Sequence, residues 1–512
     1  MRISRRRLMQ SGGLAAAGLA SRAAGAAPTA AGPSPEVYMR LGVRPFINCT
    51  ATLTINGGSL TLPEVISAME QAAHFHVDLD DLMEKTGARL AELLQVEWGI
   101  VTAGTSAALT HATSGILAGT DAEKIQRLPT LDGLKNEVII PRESRNAYDH
   151  AVRTLGLKVI EVNSTDELRA AISSHTALIY LLGNYFGHAK LDLKDIAPIA
   201  RPAGVPILID AAADYLIVPN PYIAQGADLV AYSGGKILRG PQGAGLLVGR
   251  RDLVRAAWAN SAPHHAFGRA VKVTKEEIIG MLRAVEVWRV EGRDMQADFR
   301  TWESWYGHIS DKIMTVPGVR AQAQGPIRGG PFPTLNISWD PDRIALTASA
   351  LGQQLLSGDP SIMTHASGEG HSFVLRPAAM KPGEYEVVAR RLHEVFSSAP
   401  RSREQRVAAA PVHDVTGSWD VEIQYEVGSA KHALFLAARD NTISGRHQGW
   451  AYEGDLRGKI AGDRVNLRST LPADGNTLTY AFQGTVTEQG MSGEVRIGEY
   501  GSAKWTARRH GV

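Results

Sequence analysis

From about Pro35 to Ala399 short apolar runs alternate with amphipathic stretches, and beyond that point the pattern changes. Seven runs, "WGIVTA", "NEVIIP", "KVIEV", "ALIYLL", "PILID", "DLVAYS" and "AGLLVG", are apolar at nearly consecutive positions. That pattern predicts strands covered on both faces. Between them Leu62–Phe75 and Asp80–Leu94 repeat apolar residues at spacings of three and four, which predicts helices with one buried stripe. Strands joined by helices predict an α/β fold built on a mostly parallel, seven-stranded sheet. One long helical pattern then runs from Thr274 to about Ile313, and a smaller α+β segment ends in "YEVVARRLHEVFSS".

After residue 414 apolar and polar residues alternate singly, with Gly, Asn and Asp at the turns. This predicts an antiparallel meander of about eight strands, a small barrel or sandwich. The organisation expected is a leader over 1–31, a catalytic region over 36–397, a linker over 398–413 and a β-domain over 414–512. Within the catalytic region a large domain takes about 60–300, and a small one takes 36–59 and 301–397. A polar, basic linker containing proline predicts two units that fold separately, so the catalytic region should keep its chemistry without the β-domain.

Composition narrows the classes. At 512 residues with 44% hydrophobic and 21% charged, the chain has material for two or three domains. A formal charge of +2 gives no reason to expect a nucleic-acid partner. The lone cysteine, Cys49, excludes an internal disulfide and any cysteine-based metal site. His264 and His265 read as loop residues, and no metal is expected.

The first thirty residues have a basic start, a short Gly/Ala-rich apolar stretch and a small-residue end, the layout of an export signal. The stretch is too short and too weakly apolar for stable membrane insertion. Arg5 and Arg6 before Leu8 and Met9 resemble a twin-arginine signal, which implies a periplasmic or secreted protein exported already folded.

Chemistry concentrates around "AYSGGKILRGPQGAGLLVG", where a lysine sits in a glycine-rich loop pinned between two apolar strands. An amine held there is partly desolvated and suited to act as a Schiff-base nucleophile. Three further features fall at carboxyl ends of strands, where open parallel sheets hold ligands. Gly104, Thr105 and Ser106 follow a strand and open a helix, an arrangement suited to a phosphate. Asn184 ends another strand and is able to hydrogen-bond a phenolic oxygen. Asp210 ends a third, and a carboxylate buried there needs a cationic partner. Ser233, three residues before Lys236, adds a hydroxyl. In this order the residues meet the needs of pyridoxal 5′-phosphate: Lys236 for the aldehyde, Asp210 to keep the ring nitrogen protonated.

The stretch "DAAAD…GADLVAYSGGKILRGPQGAGLLVGRRDLV" resembles fold-type-I pyridoxal-phosphate enzymes of the selenocysteine synthase group. It is most similar to their D-glucosaminate-6-phosphate ammonia-lyase-like branch. "INCTATLTINGGSLTLPEVISAMEQAA" and "APHHAFGRAVKVTKEEIIGMLRAVE" carry the same resemblance, which spans about residues 36 to 397. It implies the fold-type-I transferase fold, Lys236 and Asp210 as catalytic residues, and Thr105, Ser106 and Ser233 at the phosphate. It further implies Tyr148 stacked on the ring and a homodimer or higher homo-oligomer. Arg376 sits where such enzymes hold a substrate carboxylate, or else bridges two segments by a surface ion pair, and Arg269 either reaches substrate across a dimer interface or is an ordinary surface residue. The activity implied is elimination of ammonia from a hydroxylated amino acid or amino-sugar acid. The alternatives are an aminotransferase or, more remotely, a non-catalytic binding protein on the same scaffold. In the β-domain Trp419, Trp450 and Trp505 are either core or a sugar-binding platform.

Overall fold

The computed structural model describes residues 34–183, 187, 189–327, 330–400 and 409–511. The twin-arginine stretch, Asn184 and half of the linker, 401–408, lie outside the described residues. The chain up to Phe46 forms one unit, whose described part carries a short helix, Glu36–Met39. Everything from Ile47 onward forms a second.

The seven apolar runs form one sheet. Its strands are β1 (Trp98–Thr102), β2 (Glu137–Pro141), β3 (Lys158–Val162), β4 (Thr176–Leu182), β5 (Ile207–Asp210), β6 (Leu229–Ser233) and β7 (Gly245–Gly249). They lie in the order β1-β7-β6-β5-β4-β2-β3, with β7 antiparallel to both neighbours and the other pairs parallel. Every residue of β1, β5 and β7 is buried, as expected for strands covered by helices on both faces. Helices Pro63–Ala73 and Leu79–Leu94 replace the predicted ones within two residues.

The long helical pattern after Thr274 is two helices, Lys275–Arg289 and Met295–Ile313. Gly292, at φ +73°, turns the chain between them, and Asp294 caps the second by accepting from Gln296 N and Ala297 N. The first begins at a capping box in which Thr274 Oγ1 accepts from Glu277 N and Glu277 Oε2 accepts from Thr274 N. A three-stranded antiparallel sheet follows, β8 (Val319–Gln324), β9 (Thr334–Trp339) and β10 (Ser372–Leu375), with β9 central. The helix Glu384–Ser398 closes this region. Ile47–Asn48 pairs in parallel with Ile362–Met363, and Thr50 bridges to Arg376, so the start of this unit is stitched to its small sheet.

The meander closes into an eight-stranded antiparallel barrel, settling the choice between barrel and sandwich. Its strands are β11 (Gly417–Gln424), β12 (Ser429–Arg439), β13 (Thr442–Gln448), β14 (Glu453–Ala461), β15 (Arg464–Ala473), β16 (Asn476–Thr487), β17 (Gly490–Ile497) and β18 (Ser502–Arg509). Each pairs with the next, and β11 pairs with β18. At that seam the Arg509 guanidinium lies 4.7 Å from the Trp419 ring centre and donates to Thr416 O and Asp414 O. Trp419 and Trp505 are barrel core, whereas Trp450 is 95% exposed on a turn, so the three do not form one platform.

Candidate active site

Asp210 is the last residue of β5 and lies in register with Leu182 of β4 and Ala231 of β6. Its carboxylate is buried but provided with donors: Oδ2 accepts from Tyr180 OH at 3.0 Å and Oδ1 from Ala212 N at 3.1 Å. Burial raises its pKa, and the charge of Lys236 and these hydrogen bonds oppose the rise. Tyr180 OH in turn accepts from Asn146 Nδ2 at 3.1 Å. A chain of hydrogen bonds therefore runs from Asn146 through Tyr180 to Asp210.

Lys236 stands on the loop between β6 and β7. Gly234 N donates to Ala244 O at 2.9 Å and Gly240 N to Gly234 O at 2.8 Å, which folds the loop back on itself. The two glycines before the lysine answer a packing need. A Cβ on Gly235 would lie 2.1 Å from Gln242 Oε1, and one on Gly58 would lie 1.8 Å from the same atom. Ser59 N donates to Gly235 O at 2.9 Å, so the Gly57-Gly58-Ser59 turn packs on the lysine loop of its own chain. The Lys236 ammonium is pushed down in pKa by burial, against the pull of Asp210 and Asp214. Its Nζ lies 5.6 Å from the centre of the Tyr148 ring.

The helix Gly104–Ala118 begins without a side-chain cap, leaving its first amides free. Thr105 Oγ1 there is buried and has no hydrogen-bond partner among the described residues. Ser106 is exposed at the same helix start and Ser233 half-buried at the end of β6. An uncapped helix start with an orphaned hydroxyl suits an anion, since buried hydroxyls otherwise find partners. The residues fit pyridoxal phosphate. Gly104, Thr105, Ser106 and Ser233 are available to the phosphate, Asp210 to the ring nitrogen, Lys236 to the aldehyde carbon and Tyr148 to the ring face.

The structure treats the remaining expected residues differently. Arg376 follows β10 and its N donates to Cys49 O at 3.0 Å; among the described residues its guanidinium has no hydrogen-bond partner. Its charge lowers the pKa of His365, second to burial. Arg269 and Lys272 are exposed and meet no described acid in this chain. His264 pairs with Asp80, distant in sequence, at 3.1 Å and its other ring nitrogen meets Trp258 O at 3.0 Å. Among the described residues no three His, Cys, Asp or Glu side chains gather as metal ligands. No described helix is long and apolar enough to cross a membrane.

Sequence reasoning missed Tyr180, Asn146 and Asp214. A tyrosine inside the fully apolar run "ALIYLL" was the available signal, because its hydroxyl needs a buried partner. Asp214, the second acid of "DAAAD", accepts from Tyr222 OH and lies against Gly183, where a Cβ would meet it at 2.5 Å.

Comparison with known proteins agrees with this chemistry. The aminotransferase class-V family matches residues 63–277. A 5′-C-glycyluridine monooxygenase-decarboxylase from a Streptomyces species is 30% identical over 373 residues, 70% of this chain and 92% of that protein. The D-glucosaminate-6-phosphate ammonia lyase of Salmonella typhimurium is 27% identical over 72% of this chain and 99% of its own length. A solved structure of a D-glucosaminate-6-phosphate ammonia-lyase superposes with a TM-score of 0.62 at 27% identity, covering 72% of this chain and all of that one. An L-seryl-tRNA(Sec) selenium transferase of Moorella thermoacetica is 26% identical over 70% of this chain and 83% of its own.

Fold and site therefore define a fold-type-I pyridoxal-phosphate enzyme. Within that class the chain belongs to the selenocysteine synthase group, alongside the ammonia-lyase-like proteins. The family match ends at residue 277, well before the barrel begins at Gly417.

Proposed function

We propose that this enzyme, of lyase type like its ammonia-lyase relatives, deaminates a hydroxylated amino acid or amino-sugar acid to a 2-oxo acid and ammonia. The observation that carries the reading is the lysine held over Tyr148 beside a buried, hydrogen-bonded Asp210, on a chain that aligns with an ammonia-lyase along that protein's whole length. Bound pyridoxal phosphate supplies an electron sink that makes loss of an α-proton feasible at neutral pH. Lys236, lowered in pKa, is the base that receives this proton. Asp210 would hold a proton on the ring nitrogen, and the hydrogen bonds from Tyr180 and Ala212 favour its ionised form against burial and fix its position. Arg376 holds the substrate carboxylate. The β-hydroxyl leaves with a proton as water, and hydrolysis of the resulting enamine consumes one water and releases ammonia.

The test is a screen of β-hydroxy amino acids and amino-sugar acids of both configurations for ammonia and 2-oxo acid in equal amounts. Turnover that needs a keto-acid acceptor makes the protein an aminotransferase. A second reading, loss of the α-carboxylate, is favoured by the 30% identical Streptomyces relative. It requires release of carbon dioxide with uptake of oxygen.

We further propose export by the twin-arginine route and a homodimeric or larger assembly, with Arg269 reaching the neighbouring subunit. A folded-protein route lets Lys236 be loaded with cofactor before crossing. Replacing Arg5 and Arg6 by lysine should leave active enzyme in the cytoplasm, and undiminished delivery to the periplasm would refute the route.

A further inference from the structure

The barrel touches the segment that carries Tyr148. Its β15–β16 hairpin turns on Asp474 and Gly475, and Gly475, at φ +78°, lies against the catalytic region. A Cβ at Gly475 would stand 2.8 Å from Asn146 O, 2.9 Å from Asn146 N and 2.9 Å from Asp149 Oδ2. Only a glycine fits both that backbone angle and that approach. Arg153 Nη2 donates to Asp474 O at 3.4 Å. The Asp474 carboxylate accepts from Tyr452 OH at 2.5 Å, so a second barrel turn braces the first. Arg153, Arg145 and His150 add favourable charge around it.

The segment met by this hairpin is the one that carries the ring-face residue. Arg142–Ser144 and Ala147–Asp149 are two short 3-10 turns, a stretch with little regular backbone pairing of its own. Asn146 Oδ1 accepts from Tyr148 N at 2.7 Å, and Asn146 Nδ2 donates to Tyr180 OH, the donor to Asp210. Asp149, fully buried, takes ion pairs from Arg145 at 2.6 Å and Arg153 at 2.8 Å. The hairpin thus touches one residue, Asn146, that governs both the ring face and the ring-nitrogen partner. Irregular segments carrying site residues need such outside support to hold their geometry.

We propose that the Asp474–Gly475 hairpin is a positioning element of the cofactor site, and that the barrel is part of the machinery that holds Tyr148 over Lys236. This rests on the cofactor site and not on the choice of substrate. It runs against the expectation, drawn from the linker, of a catalytic region indifferent to its β-domain, and the test below decides between the two.

The test uses the full chain, stripped of cofactor and titrated with pyridoxal phosphate. Gly475→Val should weaken cofactor affinity by about tenfold or more, alter the visible circular dichroism of the bound cofactor, and speed amide exchange over 144–153. Asp474→Ala, which adds no bulk, should weaken it several-fold. Gly428→Val is the control: Gly428, at φ +84°, turns a hairpin at the same barrel end with nothing within 4 Å of its Cβ. Its backbone angle is similar, but cofactor affinity should stay at the wild-type value. Wild-type affinity and exchange in folded Gly475→Val, or equal weakening in Gly428→Val, overturns the proposal. Should Gly475→Val fail to fold, wild-type affinity in Asp474→Ala overturns it and several-fold weakening supports it. A wrong substrate assignment would show in the ammonia screen and leave these affinities unmoved.

Discussion

The catalytic region and the barrel both bury polar side chains, but they finish them differently. In the catalytic region Thr105 Oγ1 is left without a partner and Lys236 points at an aromatic ring instead of an acid at bonding distance. In the barrel, His432 Nδ1 meets His447 Nε2 at 2.7 Å and His447 Nδ1 meets Ser469 Oγ at 2.7 Å, under the rings of Tyr480 and Phe482. Both ring nitrogens of His447 are thus paired within the barrel. Unfinished polar groups await a ligand, whereas a closed network serves the fold. Buried polar side chains thus carry different meanings in the two regions.

The largest expected effect that sharpens this contrast is at the lysine. Lys236→Ala should lower turnover by about 10²–10⁴-fold or more and abolish the visible band of the covalently held cofactor, with unchanged thermal stability of the empty protein. A mutant that keeps band and turnover would break the site assignment. Next comes the barrel's closed network. Ser469→Ala leaves His447 with an unpaired buried nitrogen, which should cost about 1–3 kcal/mol in urea unfolding of the barrel.

The barrel should also respond to pH. Burial, and then the neighbouring His432, pushes His447 down to about 3, below its ordinary value near 6.5. The unfolded chain therefore binds the proton more readily than the folded one. The stability is fully present above about pH 6.5 and is lost as pH falls from there toward about 3. Urea midpoints of the barrel measured across that window should fall with pH, and His447→Phe should flatten the slope. Flat midpoints in the wild type would show that the pair is not buried neutral.

The smallest effect should be at Thr105. Its hydroxyl has no partner to lose, so Thr105→Val should leave unfolding of the empty protein unchanged. Cofactor affinity should drop by several-fold, about 1 kcal/mol, because one phosphate donor is gone. The Ser469→Ala and Thr105→Val variants are thus expected to part company, one moving stability and the other moving affinity.

Much of this was readable from the chain because it depends on local pattern. Runs such as "PILID" and "AGLLVG" announce strands covered on both faces, and single alternation after residue 414 announces a meander. Lys236 was legible because its loop is extreme in composition. The partners of Asp210 were not, since Tyr180 and Asn146 reach it across strands, and a one-sequence pattern holds no record of that meeting. The break at Gly292–Asp294 was missed because apolar spacing continues across it, while the cap that divides the helices is a two-residue signal. Closure of the barrel rests on a seam between Trp419 and Arg509, residues far apart in sequence.

That seam has a consequence for how the protein is made. Strand β11 has no partner on one side until β18 has been synthesised, so a nascent or clipped chain ending anywhere between them exposes an open strand edge. Open edges recruit other chains. By then the catalytic region, which precedes the barrel in the chain, has already been synthesised. Incomplete copies should accumulate as aggregates or be degraded by the cell's proteases, so that the barrel's last strand acts as a checkpoint on which molecules survive to take up cofactor.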